Sequence, residues 1–336
     1  MMQNPRGGKV LFGFSVYGGH TALKKRLEKL PVALKRALKT QGKSVRWVTS
    51  EKGQPLSPAA VTKLKLTSQG YDFVLLVHEN KIAVGLTTHA QDADAWSLRD
   101  YGRPARSAKS GMLPPKLARM MVNLAQVPEG GTLFDPFCGS GTMLMEAALA
   151  APAGKIIGSD INPQQIKDTE ANLDWLVQQN IIKNEQRQKI QTFVSDIRDL
   201  ELKNSIFPLP PSTFHPGAID CVVTEGYLGP PLRGVETKKE LDRTAAEITD
   251  VWRTALQTLY PLLKENGRIV CVWPSFKTQT GSAYVNLSKD PELLKNYRLV
   301  NEGALIYHRE GQFVSRQIFI FEKGGLPAGL STGASA

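Results

Sequence analysis

The stretch Thr132–Ala147, TLFDPFCGSGTMLMEA, constrains this chain of 336 residues more than any other. Apolar Leu133–Phe134 reads as the end of a buried strand, stopped by Asp135 and Pro136. Gly139-Ser140-Gly141 then makes a turn too tight for side chains, and Thr142–Ala150 is helix-forming and apolar on most faces. A strand, a glycine turn and a helix in that order bring backbone N–H groups and a helix N-terminus close to a ligand. A phosphate-cradling loop needs Gly-Lys-Ser/Thr at the helix start; here the residues are Gly141-Thr142-Met143, with no lysine. A dinucleotide fingerprint needs a further glycine three residues after the second, a position held by Leu144. Asp135, at the strand end before the glycines, would repel a pyrophosphate and suits a cationic or amine-bearing ligand. For this stretch alone, a purely structural turn is the alternative.

From this stretch to the C-terminal end, strands and helices alternate. Strands are predicted at Lys155–Ile161, Ile190–Ile197, Ala218–Thr224 and Gly267–Pro274, with helices at Pro163–Gln179 and Glu236–Leu263 and another before the stretch at Leu113–Ala125. Leu299–Arg309 and Gln312–Glu322 read as a closing antiparallel pair, and Ser275–Tyr297 as polar and irregular in its first half. Repeated βα units imply an α/β fold with a mostly parallel sheet and helices on both faces. In such sheets ligands sit beyond the carboxyl ends of the strands. Four successive strands finish there with an acid: Asp135, Asp160, Asp196 and Glu225. Each would be a costly charge if buried without compensation. Asp160 lies 21 residues after Gly139, the reach of a ribose diol, and Asp196 can accept from an adenine amino group. A nucleoside carrying a sulfonium and an ammonium, S-adenosylmethionine, fits this set better than a dinucleotide.

Charge separates the first third of the chain from the rest. Residues 1–110 hold 19 Lys/Arg and 7 Asp/Glu, a net of +12, while residues 111–336 carry −1, against a total of +11. A basic block of this kind is the footprint of a polyanion binder. Its strands and helices (Lys9–Tyr17, Leu23–Thr40, Ser44–Thr49, Ser57–Gly70, Asp72–Val77, Lys81–Thr88) predict a small α/β module. No aromatic stacking signature accompanies it, so it would bind by charge and shape. The three cysteines, Cys138, Cys221 and Cys271, lie far apart beside apolar runs, and the five histidines show no metal-ligand spacing. Reduced, buried thiols, no metal and a cytoplasmic setting are expected. No apolar run of spanning length and no signal peptide is visible, so no membrane association is expected.

Two segments carry a resemblance to a known family. Arg99–Ala125, RDYGRPARSAKSGMLPPKLARMMVNLA, followed by Asp135–Leu149, DPFCGSGTMLMEAAL, resembles the THUMP-associated class I S-adenosylmethionine-dependent RNA methyltransferases. The best-known members of that family are tRNA guanosine N2-methyltransferases. The resemblance covers roughly residues 95–325. It implies a Rossmann-like methyltransferase domain with a mostly parallel seven-stranded sheet at 113–325, preceded by a THUMP-like basic domain at 1–95 and an Arg-rich linker at 96–112. Residues 326–336 are expected to form a disordered tail. The implied partner is tRNA, held by Lys24, Lys25, Arg99, Arg103, Arg106 and Lys109. The implied cofactor is S-adenosylmethionine, lined by Asp135, Phe137, Gly139, Gly141, Asp160, Asp196 and Ile197.

The family's fourth strand normally ends in Asp/Asn-Pro-Pro-Tyr/Phe. An acidic or amide oxygen there accepts the hydrogens of an exocyclic amine, directing its lone pair at the methyl group, and the aromatic ring stacks on the extruded base. This chain instead reads Thr224-Glu225-Gly226-Tyr227-Leu228-Gly229. Glu225 is then expected to accept from the target amine and Tyr227 to stack on the base. The expected activity is methylation of the exocyclic N2 of a guanosine in tRNA. The alternatives are a DNA amino-methyltransferase, or a non-catalytic tRNA-binding protein that retains the fold.

Overall fold

The structure is a computed structural model that describes residues 9–18, 27–50, 54–79, 81–106, 112–200 and 215–324. The expected tail at 326–336 lies outside the described residues, as do Lys24, Lys25 and Lys109. The chain divides into two compact units, Met1–Leu98 and Arg99–Ala336.

The first unit runs β1 (Val10–Gly18), α1 (Leu30–Thr40), β2 (Val45–Trp47), α2 (Pro58–Lys63), β3 (Gly70–His78) and β4 (Lys81–Leu86). Its sheet has the order β2-β1-β3-β4, with β1 parallel to β2 and β3, and β4 antiparallel to β3. Helix α2 starts as its sequence dictates: the Ser57 hydroxyl accepts from Ala60 N and Pro58 sits in the first turn. It ends at Lys63, not at Gly70; Lys65 takes φ +50° and the chain proceeds in turns to β3. Asp72, 3% exposed, is compensated by the hydroxyls of Ser15 at 2.9 Å and Thr87 at 2.6 Å.

Helix α3 (Ala93–Tyr101) includes the unit boundary at Leu98, so residues 96–101 of the expected linker are helical. The second unit continues with α4 (Pro115–Ala125), β5 (Thr132–Asp135), α5 (Thr142–Ala150), β6 (Lys155–Asp160), α6 (Pro163–Gln178), α7 (Asn184–Gln188) and β7 (Ile190–Val194). A 3-10 turn at Ile197–Asp199, β8 (Ile219–Glu225), α8 (Lys238–Leu259), β9 (Leu263–Lys277) and β10 (Ser282–Tyr284) come next. The unit closes with α9 (Pro291–Asn296), β11 (Tyr297–Leu299), β12 (Leu305–Tyr307) and β13 (Val314–Lys323).

The seven-strand path is β11-β13-β9-β8-β5-β6-β7, and β10 and β12 add short antiparallel pairings to β9 and β13. Strands β7, β6, β5, β8 and β9 are mutually parallel, whereas β13 is antiparallel to β9. The short α7, β10 and α9 are not among the elements expected from sequence. Being buried on both faces, the strands send alternate residues into two cores. Val223, Val270 and Val272 enter one beneath α4 and α5, and Val222, Ile269, Cys271 and Trp273 enter the other beneath α8. The three cysteines are buried and unpaired in this interior. The order reverses at β5, whose neighbours are β6 and β8, so the crevice of the sheet opens beyond Asp135. No helix among the described residues is long and apolar enough to cross a membrane.

Candidate active site

The glycine turn after β5 is built as its residues require. Gly139 and Gly141 have φ of +54° and +84°, and a Cβ on Gly141 would meet Thr169 Cγ2 at 2.8 Å. Helix α6 holds the turn from the other side. Thr169 donates to the Gly139 carbonyl at 2.6 Å and Asn172 to the Ser140 carbonyl at 2.8 Å. Both side chains are fully buried, and neither was singled out from sequence. They lie in a helix whose apolar stripe they interrupt, which is the only signal they leave.

Asp135 is 2% exposed and accepts from Thr224 Oγ1 at 2.6 Å and from Phe137 N at 3.1 Å. Burial pushes its carboxyl from an ordinary 3.8 up to about 7; those two hydrogen bonds oppose the rise, and the Asp160 and Glu225 charges add to it. Asp160 is raised in the same direction by burial, although it accepts from Gly139 N at 3.0 Å and Asn162 N at 2.9 Å. Asp160 therefore ties β6 to the glycine turn, in addition to standing where a diol acceptor is expected. Phe137 is half-buried, with its ring 5.6 Å from that of Trp252.

The end of β7 departs from expectation. The Asp196 carboxylate caps the 3-10 turn through Arg198 N at 2.9 Å and takes the Arg198 guanidinium on both oxygens. That hydrogen bonding holds Asp196 below the usual carboxylate range. It is already an ion-pair partner, and acceptance from an adenine would have to share its oxygens with Arg198. Ile197 is 3% exposed and packs into the core beneath α8.

Glu225 ends β8, and its side chain is 12% exposed. Arg316, on β13 and 5% exposed, donates from Nε to Glu225 Oε1 at 2.5 Å. Burial raises the Glu225 carboxyl and Arg316 draws it back down. Arg316 was missed from sequence, yet it left a signal. It shares the strand parity of buried Ile318 and Ile320, a position that an apolar residue would ordinarily occupy. Tyr227 stands outside the core at 60% exposure. Gly226 is packed so that a Cβ would lie 2.6 Å from Trp252 Cζ2.

Two of the arginines expected on RNA are buried instead. Arg99 is 8% and Arg103 3% exposed. Arg99 Nε pairs with Glu146 Oε1 at 2.6 Å, and Arg119 Nη2 stands 2.8 Å from Glu146 Oε2. Arg103 donates to Thr142 Oγ1 at 2.5 Å, at the first turn of α5, and burial lowers it to about 10. These side chains lock the segment before α4 onto the helix of the glycine turn. Asn172 extends the lock by bonding Ala105 through both N and O at 2.9 Å. Their burial removes them from any phosphate contact; Arg106 alone of the described linker cations is exposed, its guanidinium 4.9 Å above the Tyr101 ring.

A doubly wound sheet with this strand order, a glycine turn after the strand at its switch point and acids at the adjoining strand ends defines a class I methyltransferase domain. Residues 103–205 match the UPF0020 family, described as RMKL-like, methyltransferase domain. That match overlaps the Arg99–Ala125 and Asp135–Leu149 segments that carry the resemblance to the THUMP-associated class I RNA methyltransferases. The chain is 28% identical over 251 residues to a tRNA (guanine(10)-N2)-dimethyltransferase of Methanocaldococcus jannaschii, covering 73% of this chain and 58% of that protein. A tRNA (guanine(10)-N2)-dimethyltransferase of Methanothermobacter thermautotrophicus is 31% identical over 169 residues, 49% of this chain and 40% of that one. The matches thus span less than two thirds of either relative's length. Among solved structures, TrmN from Thermus thermophilus aligns with a TM-score of 0.47 at 18% identity, over 96% of this chain and 75% of that chain.

The donor set fits the expected cofactor. Asp135 is a buried carboxylate with no cationic side chain paired to it among the described residues, which leaves its charge to be compensated by a cationic ligand. Because the ligand-free carboxyl titrates near 7, a cation should bind the ionised form and displace a proton. Affinity for S-adenosylhomocysteine, measured by calorimetry, is expected to weaken about tenfold between about pH 8 and pH 6, with proton uptake by the site as the ligand leaves. The same raised carboxyl sets the sign for stability. The ligand-free fold keeps this contribution below the ordinary carboxylate range and loses it as pH rises through about 7.

Proposed function

We propose that this chain is an S-adenosylmethionine-dependent RNA methyltransferase acting on the exocyclic N2 of a guanosine in tRNA. The observation that carries this reading is the placement of Glu225 at the crevice end of β8, next to the switch-point strand that bears Asp135, with exposed Tyr227 two residues on. The names of the relatives and the net +12 of residues 1–110 support an RNA substrate. The basic first unit is read as a THUMP-like tRNA-binding domain.

When bound, S-adenosylmethionine supplies a methyl group on a sulfonium, and the C–S electron pair stays with sulfur as a thioether. Asp135 and the Gly139–Gly141 turn would hold the amino-acid end, and Asp160 the ribose hydroxyls. A guanine N2 lone pair is delocalised into the ring. Acceptance of the N2 hydrogens by Glu225 pulls the amine out of conjugation and aims the lone pair at the methyl carbon. The N2 lone pair forms the N–C bond, and one N2 proton leaves through the Glu225 carboxylate to water. Tyr227 offers the face on which an extruded base stacks.

The test is incubation with methyl-labelled S-adenosylmethionine and unmodified bulk tRNA, followed by nucleoside analysis. Labelled N2-methylguanosine is expected. Glu225→Ala should slow transfer by about 100-fold while cofactor affinity changes less than about twofold. Label in another nucleoside, or none with the cofactor bound, overturns the assignment.

A further inference from the structure

We propose that Arg316 is a positioning residue for Glu225, holding its carboxylate as an anion in a fixed orientation with Oε2 left to accept from the target amine; this rests on the function proposed above. Arg316 lies beyond residues 103–205, the span that matches the family model.

The register shows why the residue at 225 is longer than the family's Asp or Asn. Glu225 lies opposite Val272 on β9, and Val272 lies opposite Ile318 on β13. Arg316 is two residues from Ile318 on the same face, opposite Pro274. The carboxylate and the guanidinium thus meet across an intervening apolar strand. That reach uses the extra methylene of glutamate, and a shorter aspartate would leave a gap.

The pair is asymmetric. Nε stands 2.5 Å from Oε1, while Nη2 stands 3.4 Å from Oε2. Oε1 is occupied and Oε2 keeps most of its acceptor capacity, since an ionised carboxylate has about four lone-pair sites. The side chains of the pair are 12% and 6% exposed, so water contributes little to holding the charge.

The surroundings make the arginine necessary. The neighbouring β5 carries Asp135, whose carboxyl the like charge of Glu225 raises. Arg316 is the cation paired with Glu225 among the described residues. Its guanidinium lies 5.9 Å from the Tyr307 ring, and Arg309 Nε donates to the Tyr307 hydroxyl at 2.7 Å. Without Arg316, burial would be left unopposed and would favour a proton on Glu225. A protonated Glu225 would turn one of its acceptor oxygens into a donor and could no longer take up the N2 proton. An asparagine at this position would need no such partner, because an amide oxygen accepts at any pH.

The experiment compares wild type, Arg316→Met and Arg316→Lys in two readouts. The first is kcat and KM for methyl transfer to tRNA as a function of pH. The second is the titration of the Glu225 carboxyl by carbon NMR, assigned with Glu225→Gln. Arg316→Met is expected to lower kcat at neutral pH by about tenfold, with KM for the cofactor within about twofold. Its acid limb should move to higher pH, the NMR midpoint should move with it, and Arg316→Lys should restore most of both. An NMR midpoint that stays put in Arg316→Met overturns the proposal, whether kcat is unchanged or falls equally at all pH. If wild type transfers no methyl group, the functional reading fails by itself. The NMR midpoint then decides alone whether Arg316 sets the charge of Glu225.

Discussion

Glu146→Gln is expected to destabilise the methyltransferase domain by about 3–5 kcal/mol, the penalty of breaking a buried ion pair from one side. Glu146 is 1% exposed and is the anion shared by Arg99, from α3, and Arg119, from α4. Arg103 lies in the same interior, and the Glu146 charge favours its protonated form. Removing the charge would take from Arg99 and Arg119 the carboxylate they share. Urea unfolding followed by fluorescence should show the loss as a lower midpoint at unchanged slope. The triple variant Arg99→Leu, Arg119→Met, Glu146→Leu should recover most of it, because an apolar replacement of the whole cluster is often neutral or better. A loss below about 1 kcal/mol for Glu146→Gln would mean that the arginines find other partners.

Gly226→Pro, which restores the family's usual residue, is expected to cost about 3 kcal/mol, at the upper end of overpacking penalties. A Cβ at this position would lie 2.6 Å from Trp252 Cζ2 and 2.9 Å from Cε2. Trp252 cannot easily give way. It is 1% exposed, lies edge-on to Trp273 at 6.1 Å, and has Phe137 at 5.6 Å on the glycine-turn side. Displacement of Trp252 would reach Phe137, whose N–H holds Asp135, so cofactor affinity should fall together with stability. Combining Gly226→Pro with Trp252→Leu should return part of the loss, and the non-additivity of the cycle measures the clash. If Gly226→Pro matches wild type in stability and transfer, the packing account of this glycine is wrong. On this account the departure from Asp/Asn-Pro-Pro-Tyr/Phe is a matched exchange. Glycine at 226 makes room for a tryptophan, and glutamate at 225 reaches an arginine.

Local chemistry made the methyltransferase half of the chain legible. Asp135-Pro136 ends a strand, Gly139 and Gly141 take positive φ, and apolar runs of strand length recur with helices between them. These are decided within a few residues, so the α/β class, the mostly parallel sheet and the acids at its strand ends could be read from sequence alone, whereas the strand order came from the tertiary structure. The boundaries were less secure where a single residue overrides a pattern, as Lys65 does in ending α2 early. Short additions such as β10 and α9 carry too few residues for a period to show.

Sequence by itself determined the strand–turn–helix at the switch point, the succession of acids at strand ends and the basic first third, because each depends on backbone sterics or on composition. Tertiary structure alone decided what each charge does. Arg99 and Arg103 read as phosphate ligands in a Gly- and Pro-rich stretch, yet Glu146, 47 positions on, pairs with the first and Thr142, 39 positions on, accepts from the second inside the fold. Asp196 reads as a ligand acceptor and is paired with its neighbour Arg198. Glu225 finds Arg316 at 91 residues' separation. The reason is that burying a charge is costly unless hydrogen bonds or a counter-charge compensate it, and chain folding, not spacing along the sequence, decides which partner arrives.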